Sequence, residues 1–456
     1  MKRIFLASAA ILGTALSAQA ADLAVKAPYT KAPIYQAAYD WSGFYMGVNA
    51  GVGLGRDRTN HYQAASANSF YQSSQGGFGG GQIGYNWKAD SLLGPIVYGL
   101  EADIQGGDLS DSNTSLNNLT IQNAYSQKLD WFGTVRGRIG LASGPVLSYV
   151  TAGYAYGNVK TNVSEGGINV FSDSRLRSGW TAGSGVEAAL GGNWTGKIEY
   201  LYLNMDNKAD VISGGQILNS ELRENIFRVG LNYRINGNSN YATPVAANWT
   251  GFYLGGNIGS GTGRDRSTLS AGGVTDSFNL APDGINGGAQ IGYNWQSGNW
   301  VWGVETDFQG SSQQDNKTCI LTCLPGQNAS YDATLPWFGT VRGRLGYSAG
   351  STLFYVTGGY AYGSVKTKIS TPVSYDNVSN TSDGWTAGAG IETPFALLGL
   401  FGPNWTSKTE YLYVDLGSTS NVLSNGAVST RSVTEHVFRT GLNYHFNSSA
   451  LIPSRF

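Results

Sequence analysis

Apolar and polar residues alternate one for one along most of this chain. Phe44, Met46, Val48, Ala50, Val52 and Leu54 fall on one face of a segment; Tyr45, Gly47, Asn49, Gly51 and Gly53 fall on the other. Phe227, Val229, Leu231, Tyr233 and Ile235 alternate in the same way with Arg228, Gly230, Asn232 and Arg234. A period of two predicts extended strands. The first half of the chain is predicted to hold eight of them, at 43–55, 77–88, 96–106, 130–141, 147–159, 179–190, 193–205 and 225–236. The connections after strands two, four and six are short, as at Gly144-Pro145 and Gly191-Gly192-Asn193; the others are long and polar.

The pattern occurs twice, and self-similarity at a fixed offset decides the organisation before any finer reading. Trp41-Ser42-Gly43-Phe44-Tyr45 returns as Trp249-Thr250-Gly251-Phe252-Tyr253, and Gly55-Arg56-Asp57-Arg58 as Gly263-Arg264-Asp265-Arg266. The blocks 82–87, 131–138, 179–183 and 227–233 return at 290–295, 337–344, 384–388 and 438–444, at offsets of 205 to 211 residues. The expected layout is a leader at 1–20, an extended segment at 21–40, a first repeat at 41–236 and a linker at 237–248. A second repeat at 249–447 and a tail at 448–456 complete it.

Charge then separates a soluble sandwich from a membrane barrel. On the face opposite the apolar one, the first repeat carries Glu101, Asp103, Arg136, Arg138, Glu187, Lys197, Glu199 and Arg228. The second carries Glu305, Asp307, Arg342, Arg344, Glu392, Lys408, Glu410 and Arg439. Each set has four acids and four bases. Surface charges have no reason to balance within each repeat, whereas charges enclosed in a narrow barrel must, because an unpaired buried charge is very costly. Long loops at one rim, short turns at the other and an apolar exterior are the habit of a bacterial outer-membrane barrel. Trp41, Trp87, Trp131, Trp180, Trp194, Tyr200 and Tyr202 near strand ends are expected to form an interfacial girdle.

Composition agrees. The chain has 65 Gly, 27 Tyr, 17 Phe and 12 Trp in 456 residues, and 13% charged residues. That argues against a helical enzyme and against a charged disordered tail. Residues 1–20 read as a cleaved secretory signal, with Lys2 and Arg3, an apolar core to Leu16 and Ala18-Gln19-Ala20 as the cleavage site. Without it, 27 basic side chains face 30 acidic ones, too even a balance to suggest nucleic acid. No later stretch is apolar enough for a spanning helix. Cys319 and Cys323 are the only cysteines, and secretion permits a disulfide between them. His61, His436 and His445 lie far from both, so no metal site is expected, and no cofactor.

Three blocks carry a resemblance to a known family. Trp41-Ser42-Gly43-Phe44-Tyr45-Met46-Gly47, Trp131-Phe132-Gly133-Thr134-Val135-Arg136-Gly137-Arg138 and Phe438-Arg439-Thr440-Gly441-Leu442-Asn443-Tyr444-His445-Phe446 resemble motifs of the alphaproteobacterial outer-membrane immunogenic proteins, small porin-family β-barrels. The resemblance spans both repeats and implies an all-β, antiparallel eight-stranded transmembrane barrel in each, with the turns in the periplasm. The family usually has one copy and stops at the aromatic matching Phe446. Both Phe446 and Phe456 are therefore open as the signal read by the outer-membrane assembly machinery.

Two architectures fit the alternation: two tandem eight-stranded barrels, favoured because each repeat balances its own charge, or one sixteen-stranded barrel with an aqueous channel. The expected function is that of an integral outer-membrane protein with an envelope-structural and surface-exposed role and at most limited small-solute passage. A sixteen-stranded general-diffusion porin is one alternative. A surface receptor or adhesin acting through long loops, such as Thr59 to Gln75 and Ser312 to Thr334, is another. Expected partners are outer-membrane lipid, lipopolysaccharide and the assembly machinery, with no nucleic acid and the oligomeric state open. His61 is the one loop histidine that could be offered to a haem. An enzyme is not expected, since acid–base chemistry wants a His near Ser or Asp and neither His436 nor His445 has a counterpart in the first repeat. Gly79-Gly80-Gly81-Gln82-Ile83-Gly84 matches a dinucleotide fingerprint but lies inside a strand, where that fingerprint has no function.

Overall fold

The computed structural model describes residues 39–446, except 64–65, 92–93, 118–120, 213–214, 236–246, 321–328, 396–401 and 403. The expected signal peptide at 1–20, the expected extended segment up to residue 38, most of the expected linker, Cys323 and the residues from 447 on lie outside the described residues.

The first repeat contains β1 (Gly43–Gly55), β2 (Asp57–Gln63), β3 (Ser66–Gln72), β4 (Gln75–Ala89), β5 (Ile96–Asn117), β6 (Ile121–Ser143), β7 (Val146–Glu165), β8 (Ile168–Gly191), β9 (Trp194–Ile212) and β10 (Gln216–Arg234). Strands β1, β4, β5, β6, β7, β8, β9 and β10 are joined in that order, and β1 pairs with β10 to close the ring. The second repeat contains β11 (Gly251–Ala271), β12 (Val274–Leu280), β13 (Asp283–Ser297), β14 (Trp300–Ile320), β15 (Ala329–Ala349), β16 (Thr352–Ser370), β17 (Tyr375–Pro394), β18 (Trp405–Val422) and β19 (Val428–His445). It closes through β11 and β19. Closure leaves no edge within the membrane, where an unpaired backbone group has no water to bond. The chain therefore forms two eight-stranded barrels, and the single sixteen-stranded ring does not occur.

The strands run far past their predicted ends. Thr59 to Gln75, expected as a loop, is largely the β2–β3 hairpin, with β2 paired to β10. Most of Ser312 to Thr334 is likewise strand, in β14 and β15. A spanning strand needs only about 9–11 residues. On β6 the outward apolar stretch from Trp131 to Leu141 is of that length. It is bounded by aromatic pairs: Trp131 with Tyr156 at the upper end, and Trp87 with Tyr98 at the lower. Within the band Ile83, Leu100, Ile104, Val135 and Ile139 are all more than half exposed.

A belt of β-bulges lies at the top of that band. On β6 the register slips between Leu129 and Trp131, and on β15 between Thr334 and Trp337, where Pro336 takes the unpaired position. Further slips fall at Gly106/Leu109, Gly310/Gln313 and Asp415/Ser418. On β6 the slip resets which residues face inward, from Phe132, Thr134, Arg136 and Arg138 below it to Leu129, Gln127 and Tyr125 above. Polarity inverts at the same level. Below the belt, charge is inside and hydrocarbon outside. Above it, Leu109, Leu129 and Val159 are buried inside, while Lys128 and Lys160 face water. The long strands, such as β6 and β7, are thus half membrane protein and half soluble protein.

Two expected girdle residues do other work. Trp41 is buried and donates from Nε1 to Gly144 O at 3.1 Å, closing the short-turn end of its barrel, as Trp249 does with Ser348 Oγ at 3.0 Å. Tyr200 packs between the two barrels, stacked on Phe438 with ring centroids 5.6 Å apart. Trp87, Trp180 and Trp194 do face outward.

Candidate functional site

All sixteen strand charges singled out from the sequence point into the barrels and are buried. In the first barrel Arg136 is the centre. Its guanidinium reaches Glu101 at 2.5 Å, Asp103 at 2.8 Å and Glu199 at 3.0 Å. Arg228 holds Asp103 at 2.9 Å and donates from Nε to Glu199 at 2.6 Å. Lys197 Nζ lies 2.9 Å from Glu101, and Arg138 pairs with Glu187 at 2.9 Å. The second barrel repeats the knot. Arg342 meets Glu305, Asp307 and Glu410; Arg439 meets Asp307 and Glu410; Lys408 meets Glu305; and Arg344 meets Glu392. Charge-assisted bonds of this kind are the strong ones, and here they brace four or more strands at once.

Tyrosines complete the layer, and the sequence reading had not included them. Tyr45 donates to Glu101 at 2.8 Å and Tyr149 to Glu199 at 2.9 Å; Tyr253 and Tyr355 do the same for Glu305 and Glu410. Their signal was a large aromatic placed among glycines on the polar face. The glycines make room: a Cβ on Gly84 would sit 2.3 Å from Tyr45 Oη, and one on Gly292 equally close to Tyr253 Oη. Above this ionic layer Phe78, Phe132, Leu203, Met205, Leu222 and Ile226 fill the first barrel with hydrocarbon. Leu335, Phe338, Leu412, Val414 and Val437 do so in the second.

The histidines are engaged elsewhere. His61 lies on β2, bonded through Nε2 to Gln216 at 2.6 Å and through Nδ1 to Tyr125 Oη at 2.6 Å, so neither ring nitrogen is offered to a haem iron. His436 Nδ1 is bonded to Tyr411 Oη at 2.6 Å, and its Nε2 lies 3.1 Å from Gln75 Nε2 of the other barrel. His445 lies 3.1 Å from Glu392. The 79–84 glycine motif lies within β4 and opens no helix. The proposed Cys319–Cys323 pair falls outside the described residues, since Cys323 is not among them.

A second site, which the sequence did not announce, is the seam between the barrels. Ile198, Phe227, Ile391 and Phe438 are outward residues, like Val135, yet they are 6%, 3%, 2% and 7% exposed against its 51%. The contacts are reciprocal. Tyr200 stacks on Phe438, and its counterpart Tyr411 packs on Phe227 at 5.2 Å. Above the belt, the outer edge of β5 is covered by β12, and the outer edge of β14 by β3. Thr114 Oγ1 donates to Ser277 O at 2.8 Å, and Asn279 N to Asn113 Oδ1 at 2.8 Å. Arg56 reaches Asp315 at 3.0 Å and also pairs with Asp283, while Arg264 reaches Asp111 at 2.7 Å. The duplicated Gly-Arg-Asp-Arg block is thus a two-way clasp, with the self-complementary form of a two-fold interface written into one chain.

Curated relatives match about half of this chain. Over 250 residues the chain is 36% identical to the 31 kDa outer-membrane immunogenic protein of Brucella melitensis, covering 51% of this chain and 100% of that one. It is 35% identical over 205 residues to the 22 kDa outer membrane protein of Rhizobium leguminosarum, covering 44% of this chain and 80% of that one. Among solved structures, the attachment invasion locus protein Ail of Yersinia pestis aligns with 41% of this chain and 99% of its own, at 17% identity and a TM-score of 0.20. The model of the outer membrane protein beta-barrel domain matches twice, over residues 7–234 and 239–446. The chain belongs to that outer-membrane β-barrel family and carries its domain in tandem.

Proposed function

We propose that this outer-membrane protein is a closed double barrel that does not conduct, and that its role is to brace the envelope and hold its outer rims clear of the lipid. The observation that carries the reading is the layered interior. In each barrel an ion-pair layer lies across the lumen at membrane level, and a hydrocarbon layer lies directly above it. Hydrated ions would have to break buried charge pairs and then cross apolar packing, both costly steps. An eight-stranded interior is just wide enough for side chains to fill.

Display is supported by the strand length. Some nine residues of β6 lie above the bulge, from Ile121 to Leu129. That stretch lifts the rim roughly 20 Å beyond the hydrocarbon band. Polar outward side chains, and an interior in which apolar clusters such as Tyr125, Val163, Ile212 and Leu218 lie among bonded polar groups, keep the raised part stable in water.

Planar-bilayer recording of the full-length, refolded protein tests this. Protein shown to be folded by its heat-modifiable gel mobility is expected to give no stable steps. Large, reproducible steps would overturn the reading and make transport the function.

A further inference from the structure

The near-symmetry of the seam fails at one place. On one flank Phe354 of the second barrel packs against Gly196, where an added Cβ would come within 3.1 Å of its ring. Ile198 and Ala188 of the first barrel are buried beside it. The repeat alignment gives the counterpart of each of these residues. Phe354 corresponds to Ser148, Gly196 to Ser407, Ile198 to Thr409 and Ala188 to Thr393. Those four hydroxyl residues come together on the opposite flank. There, where an aromatic ring would fill the seam, a crevice of ≈ 80 Å³ remains, floored by Val186 and Ile391.

Its depth in the bilayer follows from the strand register. Trp300, Tyr347, Phe354, Ile391 and Thr409 are successive cross-strand partners, so the crevice begins in the row of the periplasmic aromatic girdle. Thr393 and Ser407 are partners one row nearer the turns. Elsewhere on the exterior this level meets the glycerol and ester region of the inner leaflet. Four outward positions that are Phe, Gly, Ile and Ala on the packed flank are hydroxyl residues here. Thr409 Oγ1 lies 3.4 Å from Thr440 Oγ1, while Ser148, Thr393 and Ser407 line the crevice, where a hydroxyl left without a partner is unfavourable.

We propose that this crevice is a binding slot for one glycerophospholipid of the periplasmic leaflet. Its ester oxygens would accept from the hydroxyls of Ser148, Thr393 and Ser407, and its first acyl carbons would lie on Val186 and Ile391. Among the described residues no charged side chain lines the slot, so the glycerol-ester region is recognised rather than the headgroup charge.

The test uses the full chain reconstituted with dioleoyl phosphatidylethanolamine or dioleoyl phosphatidylglycerol, washed in mild detergent and weighed by native mass spectrometry. One retained phospholipid per chain, of either headgroup, is expected. The double variant Ser148→Phe with Ser407→Gly copies the packed flank. Retention in it should fall at least about tenfold, which corresponds to 1.4 kcal/mol of affinity, with unchanged heat-modifiable mobility. Detergent alone in the wild-type spectrum, retention of the anionic lipid only, or equal retention in the variant would each overturn the proposal. Should the variant not assemble, wild-type protein labelled with a diazirine-acyl phosphatidylethanolamine decides the matter. Label concentrated on peptides containing Val186 or Ile391 is expected, and label spread evenly over all lipid-facing strands refutes the slot.

Discussion

Arg56 of the first barrel ends 3.0 Å from Asp315 of the second, and its counterpart Arg264 ends 2.7 Å from Asp111 of the first. Each repeat therefore supplies the cation for a buried carboxylate of the other. Arg264→Ala leaves Asp111 without its cation, with neutral donors such as Asn279, Asn113 and the Ser73 N–H still in place. Loss of a buried partner in an interface costs about 2–5 kcal/mol. The expected result is earlier proteolytic opening of the outer rims in urea, with the membrane bands still intact. Adding Asp111→Asn should recover part of that loss, because the stranded charge is then gone; no recovery would show that the clasp acts through shape alone.

Arg136→Ala should be more severe. It strips one guanidinium from Glu101, Asp103 and Glu199 together. Removing one member of a buried ionic group costs about 3–5 kcal/mol. The urea midpoint of the first barrel should drop while that of the second, centred on Arg342, holds. Unchanged heat-modifiable mobility in urea would count against the network as the brace of the lumen.

The exterior can be mapped with one residue type. Ile83 is 52% exposed at membrane level. Arginine near the midplane of a barrel costs about 2–4 kcal/mol, so Ile83→Arg should lower the fraction that folds into vesicles. Ser126 faces outward on the same type of strand, above the belt. Ser126→Arg should fold normally, with a change within about 0.5 kcal/mol. Equal defects in both variants would refute the placement of the lipid boundary at the bulges.

The β2–β3 hairpin should respond to pH. Burial pushes the Asp57 carboxyl up to about 8, against the opposing hydrogen bond from Arg223 N–H. Below about 4 the group is protonated whether folded or unfolded, and its contribution is fully present. As pH rises towards 8 the unfolded chain gains a charge that the folded site resists, so stability falls over that window. Protease nicking of the hairpin should increase between pH 5.5 and 8.5, and Asp57→Asn should flatten the profile. A profile unchanged by that substitution would assign the sensitivity to another group.

The lipid-level half of each barrel was legible because its alternation is uninterrupted: Val135, Arg136, Gly137, Arg138 and Ile139 announce both faces at once. The outer half was not legible, for a geometric reason. The bulge near Asp130 shifts the inward face from even to odd positions, so any window across it averages two opposite phases to nothing. Polarity inverts at the same point, and outward Ser and Lys then resemble a loop. The β2–β3 hairpin was misread on that ground. The seam was hidden differently. Phe227 and Phe438 have the character of any lipid-facing residue, and no local pattern distinguishes a neighbour made of protein from one made of acyl chains. Only the recurrence of Arg56 as Arg264 hinted at a shared task.

The belt of bulges has a consequence for how the molecule sits. A barrel of uniform exterior could ride up or down in the bilayer at little cost. Here the long strands are composed for two solvents in sequence, and on β6 and β15 the changeover falls at a bulge. Sinking by one rung would press Lys128 and Asp130 towards hydrocarbon, and rising by one would bare Ile104 and Val135 to water. The bulges therefore act as a load line. They fix the draught of the hull, and because the clasped barrels share it, neither can heel without the other.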